Sequence, residues 1–195
     1  MIEREDDSEK YEQENWLAKK MIARFQKKIS LLLANLDYNS LHEVGCGEGY
    51  SLNFLIRIKE ANISASDVSA EALTLAEKKH PQIKFYQASV YKSPFNDNQF
   101  DLVVASQVLE HLKNPQKALL EIKRISNNYC LFTVPYEPLW RILNILRGKY
   151  LKSLGNPPTH YYHWSKKGII LLVRPYFSKI KIKLLLPWII ILVKK

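Results

Sequence analysis

Residues 41–52 read LHEVGCGEGYSL: a short apolar run carrying one carboxylate, Glu43, followed by glycines at the alternate positions 45, 47 and 49. A strand that ends on such a run places permissive backbone at its C-terminal end, where glycine lets a ligand approach the main chain closely. A dinucleotide-binding turn wants a third small residue where this sequence has Tyr50, because the helix beneath a pyrophosphate packs tightly. Glu43 would also repel a pyrophosphate, yet it suits a cationic ligand that bears an amino acid. Twenty residues beyond Gly47, Asp67 closes the run NISASD (62–67) and can accept both hydroxyls of a ribose. Together the two carboxylates describe a nucleoside that carries positive charge.

Outward from this turn, short strands are expected at SLHEVG (40–45), NISASD (62–67), IKFYQA (83–88), FDLVVAS (100–106) and YCLFTVP (129–135). Helical patterns at about 50–60, 70–79 and 115–126 fall between several of them. That alternation predicts an α/β fold with a parallel sheet covered by helices on both faces. Near the C-terminus, FSKIKIKLLLP and WIIILVKK read as two further strands with little helix between them, which predicts an antiparallel edge. At the other end, Leu17, Met21, Phe25, Ile29 and Leu33 recur at helical spacing, giving one long amphipathic helix expected to pack on the core.

At 195 residues and 47% hydrophobic composition the chain can close one good-sized core, so a single domain is the default. Its two cysteines, Cys46 and Cys130, have the spacing of neither a zinc site nor a disulfide framework, which predicts a reducing, cytoplasmic setting. The opening MIEREDDSEK is acidic and lacks the pattern of a secretory signal. LLLPWIIILV (184–193), the most apolar stretch, is broken by Pro187 and reads as a buried strand, far short of the ~20 residues that span a bilayer. The net charge is +10, and its excess is C-terminal: residues 141–195 hold twelve Lys or Arg and no Asp or Glu. Such asymmetry suggests an anionic partner there, whether a phosphorylated substrate, a membrane surface or nucleic acid. A solvated face explains it equally well.

LHEVGCGEG resembles the first motif of the class I S-adenosylmethionine-dependent methyltransferases, and ASDVSAEAL resembles their acidic second motif. SPFNDNQFDLVVASQVLEHL is similar to the segment around their fourth strand, and ALLEIKRI to the helix that follows. The four occur in order within about residues 38–135. The resemblance implies a three-layer Rossmann-like methyltransferase fold, with a seven-stranded, mostly parallel sheet whose last strand is antiparallel. It implies one methyltransferase domain over 1–195: an N-terminal helical cap (1–37), a cofactor-binding core (38–135), an acceptor-side insertion (136–170) and C-terminal strands (171–195). S-adenosylmethionine would be the cofactor and S-adenosylhomocysteine the product. By position, Gly45, Cys46, Gly47 and Gly49 would shape the loop under the cofactor's amino-acid part, with Glu43 supporting that loop or the ammonium group. Asp67 would hold the ribose and Val68 pack on the adenine. Ser89 and Val90 stand where the family often has an aspartate near the adenine, and Ser106 would lie near the methyl group.

On the acceptor side, SQVLEHL follows the fourth strand and supplies Glu110 and His111. In quinone-biosynthesis O-methyltransferases and small-RNA end methyltransferases a similar E-x-x-E-H segment binds a divalent metal. Here the first carboxylate is replaced by Gln107, and a neutral amide is a poor ligand for such cations, so no metal is expected. Glu110 and His111, with His160 or His163, are the residues that would hold one. A hydroxyl acceptor benefits from a base that titrates near neutrality, which makes histidine the natural choice. His160 is the first candidate, with His163 and His111 beside it; GNPPTHYYHWS (155–165) surrounds two of them with aromatics and prolines. Ahead of that loop, Leu139, Trp140, Leu143 and Leu146 share a helical face, flanked by Arg141, Arg147, Lys149 and Lys152. This pattern suits a small or lipid-like anionic acceptor and peripheral contact with a membrane. An RNA methyltransferase is the less favoured alternative, since the chain lacks the Asn- or Asp-Pro-Pro-aromatic tetrapeptide of base N-methylation. A non-catalytic scaffold has only Gln107 and Ser89 in its support.

Overall fold

The computed structural model describes residues 16–146, 148 and 150–195; the acidic N-terminus, Arg147, Lys149 and the side chains of Leu17, Pro138 and Lys152 lie outside the described residues. The chain divides into two compact units, residues 1–36 and 37–195. The first contains helix α1 (Trp16–Leu33), an uninterrupted 18-residue helix with Met21, Phe25, Ile29 and Leu33 in register along one stripe.

The second unit is a seven-stranded sheet: β1 (Ser40–Val44), β2 (Asn62–Asp67), β3 (Lys84–Gln87), β4 (Phe100–Ser106), β5 (Ser126–Pro135), β6 (Lys179–Leu185) and β7 (Trp188–Lys194). Its order is β3-β2-β1-β4-β5-β7-β6. All five strands from β1 to β5 run parallel, and β7 lies antiparallel to both β5 and β6. The two C-terminal strands form the expected antiparallel edge of the sheet, with the last strand, β7, inside and β6 outermost. Their sequences explain the order. In WIIILVK five successive residues are buried, as a strand covered on both faces requires, whereas KIKIKLL in β6 alternates and leaves lysines along an edge. Leu186 and Pro187 form the turn between these strands, so LLLPWIIILV is the end of one strand and most of another.

Helices α2 (Leu52–Leu55), α3 (Ala70–Lys79), α4 (Pro115–Ile125), α5 (Glu137–Leu146) and α6 (Lys166–Val173) connect or follow the strands. The helix expected at 50–60 is a single turn, because after Leu55 the backbone tightens into three-residue hydrogen bonds such as Arg57 N–H to the Phe54 carbonyl. Asn114 caps α4 through its side chain, and Pro115 occupies the first helical position, where no backbone donor is missed. Glu121 and Arg124 on α4 then clamp the loop before β4. The carboxylate accepts both the backbone N–H and the hydroxyl of Ser93 at 2.7 Å, and the guanidinium donates to the Phe95 carbonyl at 2.8 Å. These bonds tie SPF (93–95) to ALLEIKRI (118–125).

The core lies against the central strands, with Val103, Phe132, Ile122, Ile125, Ile189 and Ile191 all buried. His42 belongs to it: buried, stacked on Phe100 and bonded at 2.8 and 3.0 Å to the hydroxyls of Ser64 and Ser66. Desolvation lowers its pKa to about 3, so it stays neutral and structural. Strand order reverses between β1 and β4, and the C-terminal ends of these two strands flank the crevice in which such sheets bind ligands. The hollow of about 600 Å³ lined by Ser40, Asn62, Lys84 and Phe100 sits at the opposite edge, among strand starts, away from every candidate residue.

Candidate functional site

The three glycines after β1 do three different things. Gly45 has φ +67°, and a Cβ there would stand 2.8 Å from Val108 Cγ2, so its small size lets the loop meet the segment after β4. Gly49, at φ +79°, lies against Ala76 and His80 of the α3 region, and its carbonyl sits 3.0 Å from His80 Nε2. Gly47 alone, at φ +54°, faces open space. Of the three it is therefore the one whose missing side chain leaves room for a ligand.

Asp67 ends β2 beside this loop. One carboxylate oxygen accepts the Gly47 N–H at 2.9 Å and the other the Ser69 N–H, also at 2.9 Å. Neither bond exhausts a carboxylate oxygen, which accepts more than one donor. Glu43 is fully buried; Ser51 donates its hydroxyl to Oε1, while Oε2 has no hydrogen-bond partner. Burial pushes its carboxyl up to about 8, against the opposing Ser51 bond, and the Asp67 charge raises it further. A buried carboxyl with an unmet oxygen is well prepared for a cationic partner. The buried Cys46 thiol is raised strongly, first by desolvation and then by Glu43 and Asp67, so it behaves as a small apolar group rather than a nucleophile.

The remaining cofactor-side residues follow around the same sheet edge. Val68 is 61% exposed, a free apolar face one residue after Asp67. The Ser89 hydroxyl accepts the Tyr91 N–H and so holds its own turn, with Val90 packed on the core. Ser106 shares a 3.0 Å hydrogen bond with Thr133 on β5. Gln107 has φ +57°, an unusual conformation for a non-glycine residue, and its amide donates to the same threonine at 3.1 Å. Thr133 therefore holds both the backbone N–H and the side-chain amide of Gln107.

Those two residues lie in the 3-10 turn Leu109–His111 and meet the loop at 157–164. Backbone bonds pin the loop in place: Tyr161 N–H donates to the Glu110 carbonyl at 2.8 Å, and Glu137 N–H to the Trp164 carbonyl at 3.2 Å. Tyr162 stacks on Trp164 at 5.0 Å and donates its hydroxyl to the Lys113 carbonyl. Three sequence-distant segments thus bring five groups together: Glu110, His111, Glu137, His160 and His163. His160 Nδ1 lies 2.8 Å from Glu137 Oε1, and His163 Nδ1 lies 3.5 Å from the other oxygen of the same carboxylate. The rings of His111 and His160 meet edge to face at 4.9 Å. Glu110 is 1% exposed, and desolvation raises its carboxyl to about 8, with Glu137 adding to the rise. Both buried glutamates keep an Oε2 without a hydrogen-bond partner.

All three histidines named from the sequence come together here; Glu137, the common partner of His160 and His163, is a residue the sequence reading does not name. Its only sequence signal is its isolation, as the last acidic residue before a C-terminal stretch that has none. Helix α5 also departs from the expected face. Trp140, Leu143 and the buried Asn144 turn inward, and the Asn144 amide donates to the Gly155 carbonyl at 2.9 Å, while Leu146 is 77% exposed. Leu146 joins Ile142, Ile145, Leu151 and Leu154 as apolar side chains in contact with solvent.

Comparison with known proteins agrees with the fold. Residues 42–130 match the methyltransferase domain family. An uncharacterized methyltransferase of Schizosaccharomyces pombe is 36% identical over 96 residues, covering 43% of this chain and 34% of its own. A malonyl-[acyl-carrier protein] O-methyltransferase of Legionella pneumophila is 30% identical over 128 residues, covering 60% of this chain and 45% of its own. The chain thus spans less than half the length of these relatives. Among solved structures, an S-adenosylmethionine-dependent methyltransferase from Aquifex aeolicus superposes with a TM-score of 0.69 at 19% identity, over 98% of this chain and 99% of that one. The family match over residues 42–130, the motif order and the sheet topology together indicate a class I S-adenosylmethionine-dependent methyltransferase.

Proposed function

We propose that the chain transfers the methyl group of S-adenosylmethionine to an oxygen atom of a small or lipid-like anionic acceptor. The observation that carries this reading is the buried Glu137–His160 contact of 2.8 Å, at the same sheet edge as the Gly47–Asp67 loop. Asp67 takes the ribose hydroxyls, Val68 packs on the adenine, and the unmet oxygen of Glu43 takes the ammonium group. Ser89, Val90 and Ser106 line the remainder of that pocket, and metal plays no part in holding the cofactor.

Methyl transfer asks mainly for alignment, because the sulfonium is already a strong electrophile. A hydroxyl acceptor must also lose its proton. The histidine cluster answers that need: with Nδ1–H donating to Glu137, the lone pair of His160 falls on Nε2, the atom that removes a proton. His111 and His163 flank it. The Legionella relative, an O-methyltransferase by name, supports oxygen as the accepting atom.

The exposed side chains of Ile142, Ile145, Leu146, Leu151 and Leu154 stand in a stretch that holds basic residues and no acidic ones, which supports an acceptor with both an apolar body and a negative charge. The same features support peripheral contact with an anionic membrane from a cytoplasmic position, in preference to nucleic acid. The test is turnover of labelled S-adenosylmethionine with a panel of hydroxyl acceptors, with and without an acyl chain and a phosphate or carboxylate. Methylation confined to anionic amphiphiles is the expected result; methylation of RNA alone overturns the acceptor reading.

A further inference from the structure

We infer that Lys79 and His80, at the end of α3, are positioning residues for the cofactor: together they hold the glycine loop after β1 in the shape that receives it. The role depends on the cofactor reading above and not on the acceptor. Glycine accepts either sign of φ, so a loop with three glycines does not keep one conformation by itself. Gly45, Gly47 and Gly49 all stand at positive φ. Toward β2 the loop is tied by two bonds, from Cys46 N–H to the Ser66 carbonyl at 3.0 Å and from Gly47 N–H to Asp67 at 2.9 Å. Both lie before Glu48, and α3 supplies the hold on the second half.

The last residue of that helix and its cap grip three successive loop residues. Lys79 Nζ lies 3.0 Å from Glu48 Oε2 and 4.1 Å from the centre of the Tyr50 ring. Between those two contacts, His80 Nε2 donates to the Gly49 carbonyl at 3.0 Å; a carbonyl only accepts, so this nitrogen carries the proton. His80 is buried and anchored in turn, its N–H donating to the Ala76 carbonyl at 2.9 Å and its own carbonyl accepting from Ile83 N–H at 3.0 Å. A Cβ on Gly49 would stand 3.0 Å from His80 Cδ2, so the glycine lets loop and helix end meet. Lys79 also occupies the C-terminal turn of α3, where the helix dipole favours a cation.

Two residues that the cofactor itself does not explain find a use here. Tyr50 stands where a dinucleotide-binding turn has a small residue, and its ring is covered by the Lys79 ammonium. Glu48 adds a third carboxylate to a loop already flanked by Glu43 and Asp67, and the same ammonium meets its charge. Gly47, which faces open space, therefore lies between two held flanks. A loop held beforehand in its bound shape has less freedom to lose when the ligand arrives, which raises affinity without any contact to the ligand.

Calorimetric titration of the full chain with S-adenosylhomocysteine tests the assignment. Lys79→Met keeps the length of the side chain and removes its charge; it is expected to weaken binding about three- to tenfold, as the loss of one partly exposed ion pair and one cation–π contact implies. Lys79→Arg can still pair with Glu48 and cover Tyr50, and is expected to stay within about twofold of the parent. Glu48→Gln is expected to weaken binding about threefold, and the double variant Lys79→Met/Glu48→Gln no more than Lys79→Met alone, because the two charges form one contact. A second readout needs no ligand: the amides of residues 46–50 are expected to exchange with solvent faster in Lys79→Met than in the parent, with unchanged rates in β4. Parent-like affinity in Lys79→Met, losses that add in the double variant, or parent-like exchange in the loop overturns the proposal. Failure of the parent chain to bind S-adenosylhomocysteine would instead remove the cofactor reading, and the exchange comparison would still decide whether the helix end holds the loop.

Discussion

The cofactor side and the acceptor side of this sheet edge are built in opposite ways. On the cofactor side, Gly47 and Asp67 are joined by a direct bond across one strand–turn–strand unit, and the carboxylate is held by two backbone N–H groups. On the acceptor side, five titratable groups arrive from residues 110–111, 137 and 160–163, and Glu110 and Glu137 each keep a buried oxygen without a hydrogen-bond partner, as Glu43 does on the cofactor side. Local, backbone-satisfied geometry suits a ligand that does not change across a family. A long-range, incompletely satisfied cluster is where a chain can be specialised at the least cost to its fold.

The largest effect that would separate the two regions is on turnover. His160→Ala is expected to lower the rate with a true acceptor by about 10²–10⁴-fold while leaving S-adenosylhomocysteine affinity within about twofold. Equal losses in both would mean that the regions are not separable. Next in size is a contrast inside the cofactor loop itself. Gly45→Ala meets both a left-handed backbone and the Val108 side chain and is expected to cost ~2–4 kcal/mol of stability, read by denaturant unfolding. Gly47→Ala faces open space and should cost only ~1–2 kcal/mol, the price of its φ alone; similar values for both would remove the close approach to Val108 from the account.

Asp67→Ala is expected to weaken S-adenosylhomocysteine by ~1.5–3 kcal/mol, or about 10–100-fold, with the acceptor-side cluster intact. The smallest effect is on pH dependence. Burial holds Glu43 protonated up to about 8 in the cofactor-free protein, and the ligand's ammonium needs it ionised, so binding releases a proton. Affinity should therefore rise by roughly tenfold from about pH 7 to a plateau above pH 8. A flat profile by calorimetry would assign Glu43 to the loop through Ser51 rather than to the ligand.

This contrast also explains what the sequence disclosed. The five parallel strands and the Gly47–Asp67 pair were legible because each is written in a continuous run or at a fixed interval. The antiparallel pair was seen, but not its order: the unbroken burial of β7 against the alternating lysines of β6 places β7 inside, and that difference is visible in the two sequences once both are read as strands. Glu137 was not legible. Nothing in EPLWRIL marks it as a partner for histidines 23 and 26 residues later, since the contact exists only when the 157–164 loop folds back on the turn after β4. His42 and His80, by contrast, are satisfied by local packing and backbone. Of the five histidines, the three named from the sequence are the ones the fold brings together.

The most direct test of the central claim is a calorimetric titration of the purified chain with S-adenosylhomocysteine, run in parallel on Asp67→Ala and His160→Ala. The expected result is one-to-one, micromolar binding to the parent chain, retained by His160→Ala and weakened 10–100-fold by Asp67→Ala. Absence of binding to the parent chain, or an equal loss in both variants, would contradict the division of this edge into a cofactor side and an acceptor side.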